Sequence, residues 1–435
     1  MTAAEDPTRA TFTAWLYRPY IDLTPNAPDG NPQTAGLLFA LRSVEREADF
    51  ARIHGLYPPS FREAVLRQAR FTEYQVRDPV DLPEELRSTQ WETFTANLEE
   101  FDALPPAQRV RVLWLLHRLQ LHYAILRYAP VLEPDQLGSA EAAATAFIRG
   151  TARLALHYDG ESDLDTSDLE LVAEHAPAGD WAAIEATYYL SAVTAKKKGD
   201  AAGVRHWTDL HRVQIEASET DEHTNAKLWS RYHRVRAFVP QLDGDRAGMT
   251  AEMDRAQEWA QQTSRDTAER ATEANVLAYA LWESRTKEAL LLGDLDLAEE
   301  RVRRCITFAP LDPHAWLDLG QVLVERGEVG GAADAYRAAA RFGPPATEAA
   351  LFMLGQCLER LGDLEAARDA YLLALDLDPL GVSSLEQLVG IAETSNNGDD
   401  VVSAWASSRL EALGTAEEQE LRPYQQYEGT LGVRS

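Results

Sequence analysis

The amino-acid sequence predicts an all-α protein built from antiparallel helix pairs, and three observations support that fold class. Apolar residues recur at helical spacing along most of the chain, no stretch alternates as a strand would, and one pattern repeats near the C-terminal end. The pattern opens on Gly293, Gly327 and Gly362, which are 34 and 35 residues apart and are each followed by an acidic and an apolar residue. A repeat of this length is typical of stacked helix hairpins.

The residues after each glycine make the repeated pattern specific. In every copy a small, a bulky and a second small residue follow at matching intervals, and a proline closes the unit. Small residues let two helix backbones approach, a bulky side chain fills the neighbouring gap, and proline ends the second helix because it has no amide hydrogen. In copy order these positions are Ala298, Val302, Cys305 and Pro310, then Ala332, Tyr336, Ala339 and Pro344, then Ala367, Tyr371, Ala374 and Pro379.

The first helix of each unit adds a second set of matching positions. The second and third copies carry Trp316, Leu319 and Gly320, and Leu351, Leu354 and Gly355. With these residues the pattern resembles the tetratricopeptide repeat family, although the first copy has Thr286 four residues after Trp282, where the family prefers Gly or Ala. The resemblance is clear over 279–380 and divergent over about 181–278 and 381–413. It implies helix hairpins stacked into a right-handed superhelix.

Longer, divergent helix pairs are predicted upstream of the clear repeats. Gly199 and Gly244 are each followed by aspartate, as in the later turns. Amphipathic helices are predicted at 181–198, 203–217, 224–239, 247–264 and 267–292. After Pro379 the pattern decays, and residues 382–413 are interpreted as a degenerate pair that caps the stack.

The N-terminal part of the chain shows no repeat. Proline pairs at 58–59 and 105–106 mark helix starts, because proline suits the first turn of a helix. Helices are predicted at 34–54, 60–76, 84–102 and 106–129. The sequence therefore predicts five segments: an irregular arm at 1–33, an additional N-terminal helical region at 34–178, divergent helix pairs at 179–292, the repeat stack with its cap at 293–413, and a tail at 414–435.

Charge and composition exclude several classes of function. The 42 Lys and Arg residues face 70 Asp and Glu, a formal net charge of −28 that repels nucleic acid and anionic lipid. No signal sequence or apolar span is recognisable, which predicts a cytoplasmic protein without membrane contact. No phosphate loop, dinucleotide fingerprint, metal-ligand spacing or nucleophile motif occurs, so we expect no cofactor, no metal and no catalytic residue. An acidic stretch from Asp163 to Glu174 resembles a calcium loop but has Asp168 in place of the required glycine. The competing interpretation is a solvated acidic loop in which Ser167 caps a helix and Glu170 closes the capping box.

The resemblance implies a binding ridge on the first helices of the repeats. Tetratricopeptide proteins generally bind peptides on the concave surface that these helices line. The corresponding positions are Glu283, Lys287, Leu290, His314, Leu317, Gln321, Glu325, Phe352, Gln356 and Arg360. The subset that grips chaperone C-terminal carboxylates uses a basic clamp, which here would comprise Glu283, Lys287, Asp318, Ala349 and Met353. Only one of these is basic, so a heat-shock chaperone tail is not the expected ligand.

A basic helix at 224–239 interrupts the acidic chain. Residues 131–180 contain eleven acids and two arginines, whereas 224–239 contains no acid. Lys227, Trp229, Arg231, Tyr232, Arg234 and Arg236 form a candidate anion groove in which arginine forks and aromatic faces hold a carboxylate. The alternative is that this helix neutralises its acidic neighbours by internal pairing.

Two functions remain open on the sequence. The first is a non-catalytic scaffold that binds a protein or peptide on the concave face of the repeats. The second is a peptide-sensing regulator that acts through its N-terminal helical region, including on DNA, because Ala51, Gly55 and Phe61 have the offsets of a helix-turn-helix. His54 and the Tyr57–Pro59 entry argue against that motif, as does the net charge. The sequence indicates neither the identity of the partner nor the oligomeric state.

Overall fold

The computed structural model describes most of the chain after residue 94. The described residues are 78–81, 95–118, 121–158, 162–308, 312–341, 347–378, 381–394 and 401–415. The predicted arm, the predicted helices at 34–54 and 60–76, and residues 416–435 of the tail lie outside them. So do the prolines that close the three repeats.

The chain divides into two compact units, one whose described part ends at Arg285 and one that continues from Thr286. In the described part of the N-terminal unit the helices with defined bounds are α1 (Pro106–Arg118), α2 (His122–Tyr128), α3 (Ala140–Tyr158), α4 (Ser167–His175), α5 (Trp181–Val193), α6 (Ala201–Ala217), α7 (Glu222–Arg236), α8 (Phe238–Leu242), α9 (Arg246–Gln261) and α10 (Ala268–Leu292). The division falls within α10.

The C-terminal unit continues with alternating first and second helices of hairpins. These are α11 (Leu295–Phe308), α12 (Pro313–Glu325), α13 (Val329–Arg341), α14 (Thr347–Arg360), α15 (Leu364–Leu377), α16 (Val382–Thr394) and α17 (Val401–Thr415). Each helix packs on the next along the chain. The described residues contain no strand, and the predicted all-α class built from helix pairs is confirmed.

The same type of turn joins consecutive helices within each unit. Six of the described glycines have positive φ, a conformation that ends a helix without steric cost only when no Cβ is present: Gly179, Gly199, Gly244, Gly293, Gly327 and Gly362. An acidic residue follows each of them. In five of the six turns the acid is an aspartate that accepts a hydrogen bond from the first turn of the next helix, as Asp294 does from the Leu297 amide at 3.0 Å. The repeated Gly-acid pair is therefore a helix stop followed by a helix cap.

The core of the C-terminal unit is assembled from the small and bulky positions of the repeat. Tyr336 and Tyr371 are fully buried and pack against Gly320 and Gly355, where a side chain of any size would collide with the tyrosine ring. Cys305 and Cys357 are buried free thiols, and they pack as small apolar residues would. The small and bulky positions that follow the glycine in each of the three copies are buried, as the pattern predicts.

Two predicted helices are shorter than expected, for identifiable reasons. The helix predicted at 106–129 is two helices, since α1 ends at Arg118 and α2 begins at His122, and the Leu121 amide donates to the carbonyl of Leu116, five residues back, in place of the four-residue spacing of an α-helix. The helix predicted at 224–239 ends at Arg236. Continuing it would drive the ring of Pro240 into the carbonyl of Arg236, so Pro240 lies instead in the first turn of α8.

Candidate ligand-binding surfaces

The predicted ridge is only partly accessible within the C-terminal unit. His314, Gln321, Phe352 and Gln356 are half-buried, and Glu325 and Arg360 are exposed. Leu317 is a correction to the predicted set, because its side chain is 6% exposed and packs in the core. We call the accessible residues of α12 and α14 the repeat face: His314, Gln321, Glu325, Phe352, Gln356 and Arg360.

The repeat face is polar with one aromatic ring. Gln321 Nε2 donates to Glu325 Oε1 at 3.1 Å, so these two side chains hold each other along α12. His314 Nδ1 lies 2.9 Å from Asp312 Oδ1, beside the helix start. The Phe352 ring packs against the buried Tyr371 ring at 5.7 Å between centroids. The face therefore offers hydrogen-bonding groups of both charges around a fixed apolar platform.

The remaining predicted ridge residues lie on α10. Lys287 and Leu290 are half-buried in the C-terminal unit, whereas Glu283 precedes the division and belongs to the N-terminal unit. Of the clamp positions, Ala349 is buried, and Asp318 and Met353 are half-buried.

The predicted anion groove divides between two faces of α7. Lys227, Arg231 and Arg234 are spaced by four and three residues and share one face of the helix. They contact side chains of α5 and α10. Lys227 pairs with Glu273, and Arg231 pairs with Glu185. Internal pairing, the alternative considered for this helix, thus accounts for these two cations.

Trp229, Tyr232 and Arg236 contact other elements. The Trp229 ring stacks on Trp259 of α9 at 6.1 Å, and Tyr232 is 7% exposed. Arg236 Nη1 lies 3.2 Å from Asp209 Oδ1 of α6. These three residues therefore stabilise the packing of α7 and do not line the same surface as Arg231.

Arg231 is held by two neighbouring side chains, Glu185 and Tyr188. Both of its terminal nitrogens donate to the Glu185 carboxylate, at 2.5 and 2.7 Å, and its guanidinium lies 4.2 Å from the centre of the Tyr188 ring. Such a bidentate ion pair restricts both side chains. Burial lowers the pKa of Arg231, but the Glu185 carboxylate outweighs burial and holds this pKa above its usual value. The side chain keeps 23% of its surface exposed.

Arg234 has a different environment. Its Nη2 donates to the Tyr188 hydroxyl. Among the described residues no carboxylate lies within ion-pair distance of Arg234, and its Nη1 is enclosed without a hydrogen-bond acceptor. Burial raises the pKa of Tyr188, but the charges of Arg234 and Arg231 outweigh it and hold that pKa below its ordinary value. The Tyr188 hydroxyl is thus a polarised donor beside an uncompensated cation.

Helix α5 supplies residues that the sequence interpretation missed. Trp181, Glu185 and Tyr188 recur at intervals of four and three and so share a face of the helix. Trp181 is 47% exposed and Tyr189 is 38% exposed. Both rings pack edge-on against Phe147, at 5.1 and 5.8 Å. The helical spacing in 181–189 was the signal that could have revealed this stripe.

We call the surface formed by these two helices the arginine face. It consists of Lys227, Arg231 and Arg234 of α7 with Trp181, Glu185, Tyr188 and Tyr189 of α5. All of its residues belong to the N-terminal unit.

Comparison with known families agrees with the hairpin architecture. One tetratricopeptide repeat model matches residues 285–347, and a second matches residues 348–380. Residues 285–380 are tetratricopeptide repeats. No curated protein matches the chain. The repeat face lies within the matched tetratricopeptide segment, whereas the arginine face lies outside it.

The described residues also bear on the metal-binding and membrane-spanning features considered in the sequence. No group of three His, Cys, Asp or Glu residues in the described part of the chain is placed to hold a metal ion, and none of the helices there is long and apolar enough to cross a membrane.

In the stretch that resembles a calcium loop, Asp168 is buried against Arg149 and Arg153. The expected cap on Ser167 is wrong, because the helix starts there and the preceding Thr166 donates to Glu170. The helix-turn-helix stretch lies outside the described residues.

His211 is buried beside the arginine face as a neutral ring. Its Nδ1 lies 2.9 Å from the Thr187 hydroxyl, which gives its own proton to a backbone carbonyl, so Nδ1 carries the donor hydrogen. Its Nε2 has no hydrogen-bond partner in the described part of the chain. Burial, with a contribution from the charge of Arg231, lowers the pKa of His211 from 6.5 to about 3. Protonation would place a charge on an enclosed nitrogen without an acceptor.

We expect His211 to make the N-terminal unit sensitive to acid. The unfolded chain protonates this histidine below pH 6.5 while the folded chain resists protonation down to about pH 3, so its contribution to stability is lost as the pH falls through that window. At about 1.4 kcal/mol per pH unit, the loss at pH 5 is about 2 kcal/mol. Urea unfolding of the His211→Gln variant at pH 7.5 and pH 5 should show a pH dependence weaker by that amount. The exposed His206→Gln variant on the same helix is the control, and equal pH dependence in both variants would contradict the assignment.

Proposed function

We propose that this protein is a non-catalytic scaffold that binds a protein or peptide segment through the first helices of its tetratricopeptide repeats. Such repeats mediate protein–protein interaction in general. The observation that carries the proposal is that α12 and α14 each have a buried side and an accessible side. The residues that define the repeat are buried against the second helices, while the repeat face keeps polar and charged groups accessible.

The chemistry of the repeat face supports a partner of mixed polarity. Glu325 and Arg360 are exposed and carry opposite charges, while Gln321 and Gln356 occupy matching positions one repeat apart. Amides donate and accept hydrogen bonds, as the backbone of an extended peptide requires. The single basic residue of the clamp positions supports a ligand other than a chaperone carboxylate tail.

The proposal predicts that charge reversal on the repeat face abolishes partner capture. The variant Glu325→Lys/Arg360→Glu exchanges two exposed charges without altering the net charge. We expect the full chain, immobilised and exposed to lysate, to retain specific partners that this variant loses, because the reversed charges would repel the partner groups that the original charges attract.

A matched control comes from the second helix of the same repeat. Asp334→Lys/Arg337→Glu reverses an exposed ion pair on α13, again without changing net charge. Capture by this control should equal that of the wild type. If both double variants lose the same partners, or if neither does, the repeat face is not the binding surface.

A further inference from the structure

We infer that the arginine face binds an acidic side chain of an extended peptide whose neighbouring apolar side chain packs on Trp181 and Tyr189. The inference rests on the proposed function only in taking the ligand to be a peptide, and it concerns a different surface in the N-terminal unit. Its basis is the combination of an uncompensated cation, a polarised hydroxyl and two exposed aromatic rings on adjacent helices.

The charges on the arginine face are not balanced. Its three cations contact two carboxylates, Glu185 and Glu273, and Arg234 contacts neither. The whole chain carries a net charge of −28, so a local excess of positive charge runs against the overall composition. A half-buried cation without a counter-ion attracts an anion more strongly than a cation in water does, because the surroundings screen it less.

Tyr188 supplies the hydrogen bond that an incoming carboxylate needs. Its hydroxyl oxygen accepts from Arg234, and within the described residues its own proton has no acceptor. The charges of Arg234 and Arg231 lower the pKa of this hydroxyl against the opposing effect of burial, which makes it a stronger donor. A ligand carboxylate that accepts from Tyr188 would also lie in the field of both guanidinium groups. Carboxylates bonded to such donors form the stronger class of hydrogen bond.

The aromatic rings define what lies next to the acidic side chain. Trp181 and Tyr189 expose about half and more than a third of their surfaces, although Phe147 fixes both rings from below. Rigid, exposed aromatic rings provide contact area at low entropic cost. Trp181 lies two turns before Tyr188 on α5, a rise of roughly 10 Å, which an extended peptide spans in about three residues. The ligand therefore carries an apolar and an acidic side chain about two to four positions apart.

A short-peptide array tests this inference on the full chain. The probes are fluorescein-labelled peptides with amidated C-termini, a glycine–serine background, one tryptophan and one aspartate about two to four positions apart. A matched set carries asparagine in place of aspartate, and a third set carries a free C-terminal carboxylate with asparagine, which separates side-chain from terminal carboxylates. Binding is measured by fluorescence anisotropy at low and at high salt.

We expect the aspartate peptides to bind at least about tenfold more tightly than the asparagine peptides, the usual value of a charge-assisted hydrogen bond. Arg234→Gln should abolish this preference, and Tyr188→Phe should reduce it while leaving the fold intact, because only one hydroxyl is removed. Trp181→Ala should weaken both peptide sets alike. Arg212→Gln removes an exposed cation from α6 that is paired with Glu216, and it should leave the preference unchanged.

The inference would be overturned by no binding of any aspartate peptide at about 1 mM, by equal binding of the aspartate and asparagine sets, or by the same loss of preference in Arg212→Gln and Arg234→Gln. Stronger binding of the free-carboxylate set would transfer the site to a peptide terminus and likewise overturn it. The proposed function fails separately, since partner capture by the repeat face is measured with Glu325→Lys/Arg360→Glu and does not involve Arg234.

Discussion

Replacing Arg149 with alanine should lower the free energy of unfolding of the N-terminal unit by about 3–5 kcal/mol, the usual cost of leaving one member of a buried ion pair alone. Arg149 is 8% exposed, and its Nε lies 3.2 Å from the Asp168 carboxylate. Its Nη1 also donates to the carbonyls of Leu126 and Ala129 at the end of α2. One side chain thus links three helices, and its removal leaves two carbonyls and a carboxylate without this donor.

Asp168 explains why the loss should be large. Burial raises the pKa of this carboxyl, and the charges of Arg153 and Arg149 offset that effect only in part. At neutral pH the ionised group is therefore held in an unfavourable environment by its two arginines. Removing Arg149 leaves Arg153, which lies 3.1 Å from Asp168 but is shared with Asp165.

Urea unfolding followed by circular dichroism measures the effect of Arg149→Ala. The control is Arg212→Ala, which breaks an exposed pair between residues four apart on α6 and should cost less than about 0.5 kcal/mol. A loss for Arg149→Ala as small as that for Arg212→Ala would mean that water replaces its contacts and that the pair is not buried in solution.

The features that could be predicted from the sequence are those that depend on near neighbours. The turn at Gly293 and the cap at Asp294 involve residues at most five positions away, so both leave a local signature. The same holds for the repeat spacing, because each hairpin contacts mainly its neighbours. For this reason the helix pairs and the buried motif positions followed from the pattern alone.

The features that escaped prediction depend on pairs of residues far apart in sequence. Helical spacing places Lys227, Arg231 and Arg234 on one face, but their partners on α5 and α10 lie 46 residues away, and only the stacking of the helices brings them together. The acidic residue Asp168 was interpreted as part of a solvated loop for the same reason. Its partner Arg149 lies on the preceding helix, and nothing local indicates that both are buried.

Leu317 shows the limit of transferring positions from a family resemblance. Its place in the repeat predicts a residue on the ligand side of the first helix. In this chain the position holds a leucine that packs with the core and is 6% exposed, while Phe352 at the equivalent place in the next repeat stays half-buried. Equivalent positions in two repeats therefore differ in burial, and family position alone does not determine which residue is accessible.

Replacing Gly355 with alanine should destabilise the C-terminal unit by about 1–3 kcal/mol, the usual cost of overfilling a packed core. A Cβ at this position would lie 2.5 Å from Cε1 and 2.7 Å from Cζ of Tyr371. The Tyr371 ring is fully buried and its hydroxyl donates to Glu359 Oε1 at 2.5 Å, so the ring cannot withdraw without losing that bond. The overfilling should outweigh the gain of about 1 kcal/mol that alanine brings to a helix interior.

Gly330→Ala separates these two effects within the same unit. Gly330 lies in α13, and nothing lies within 4 Å of the place where its Cβ would be. There the substitution should raise the free energy of unfolding, by up to about 1 kcal/mol, because only the helix propensity changes. Glycine-to-alanine substitution should thus lower the free energy of unfolding at Gly355 and raise it at Gly330, as measured by thermal or urea unfolding. If alanine stabilised both, Tyr371 would have room to move, and the close packing of first and second helices would not require glycine at position 355.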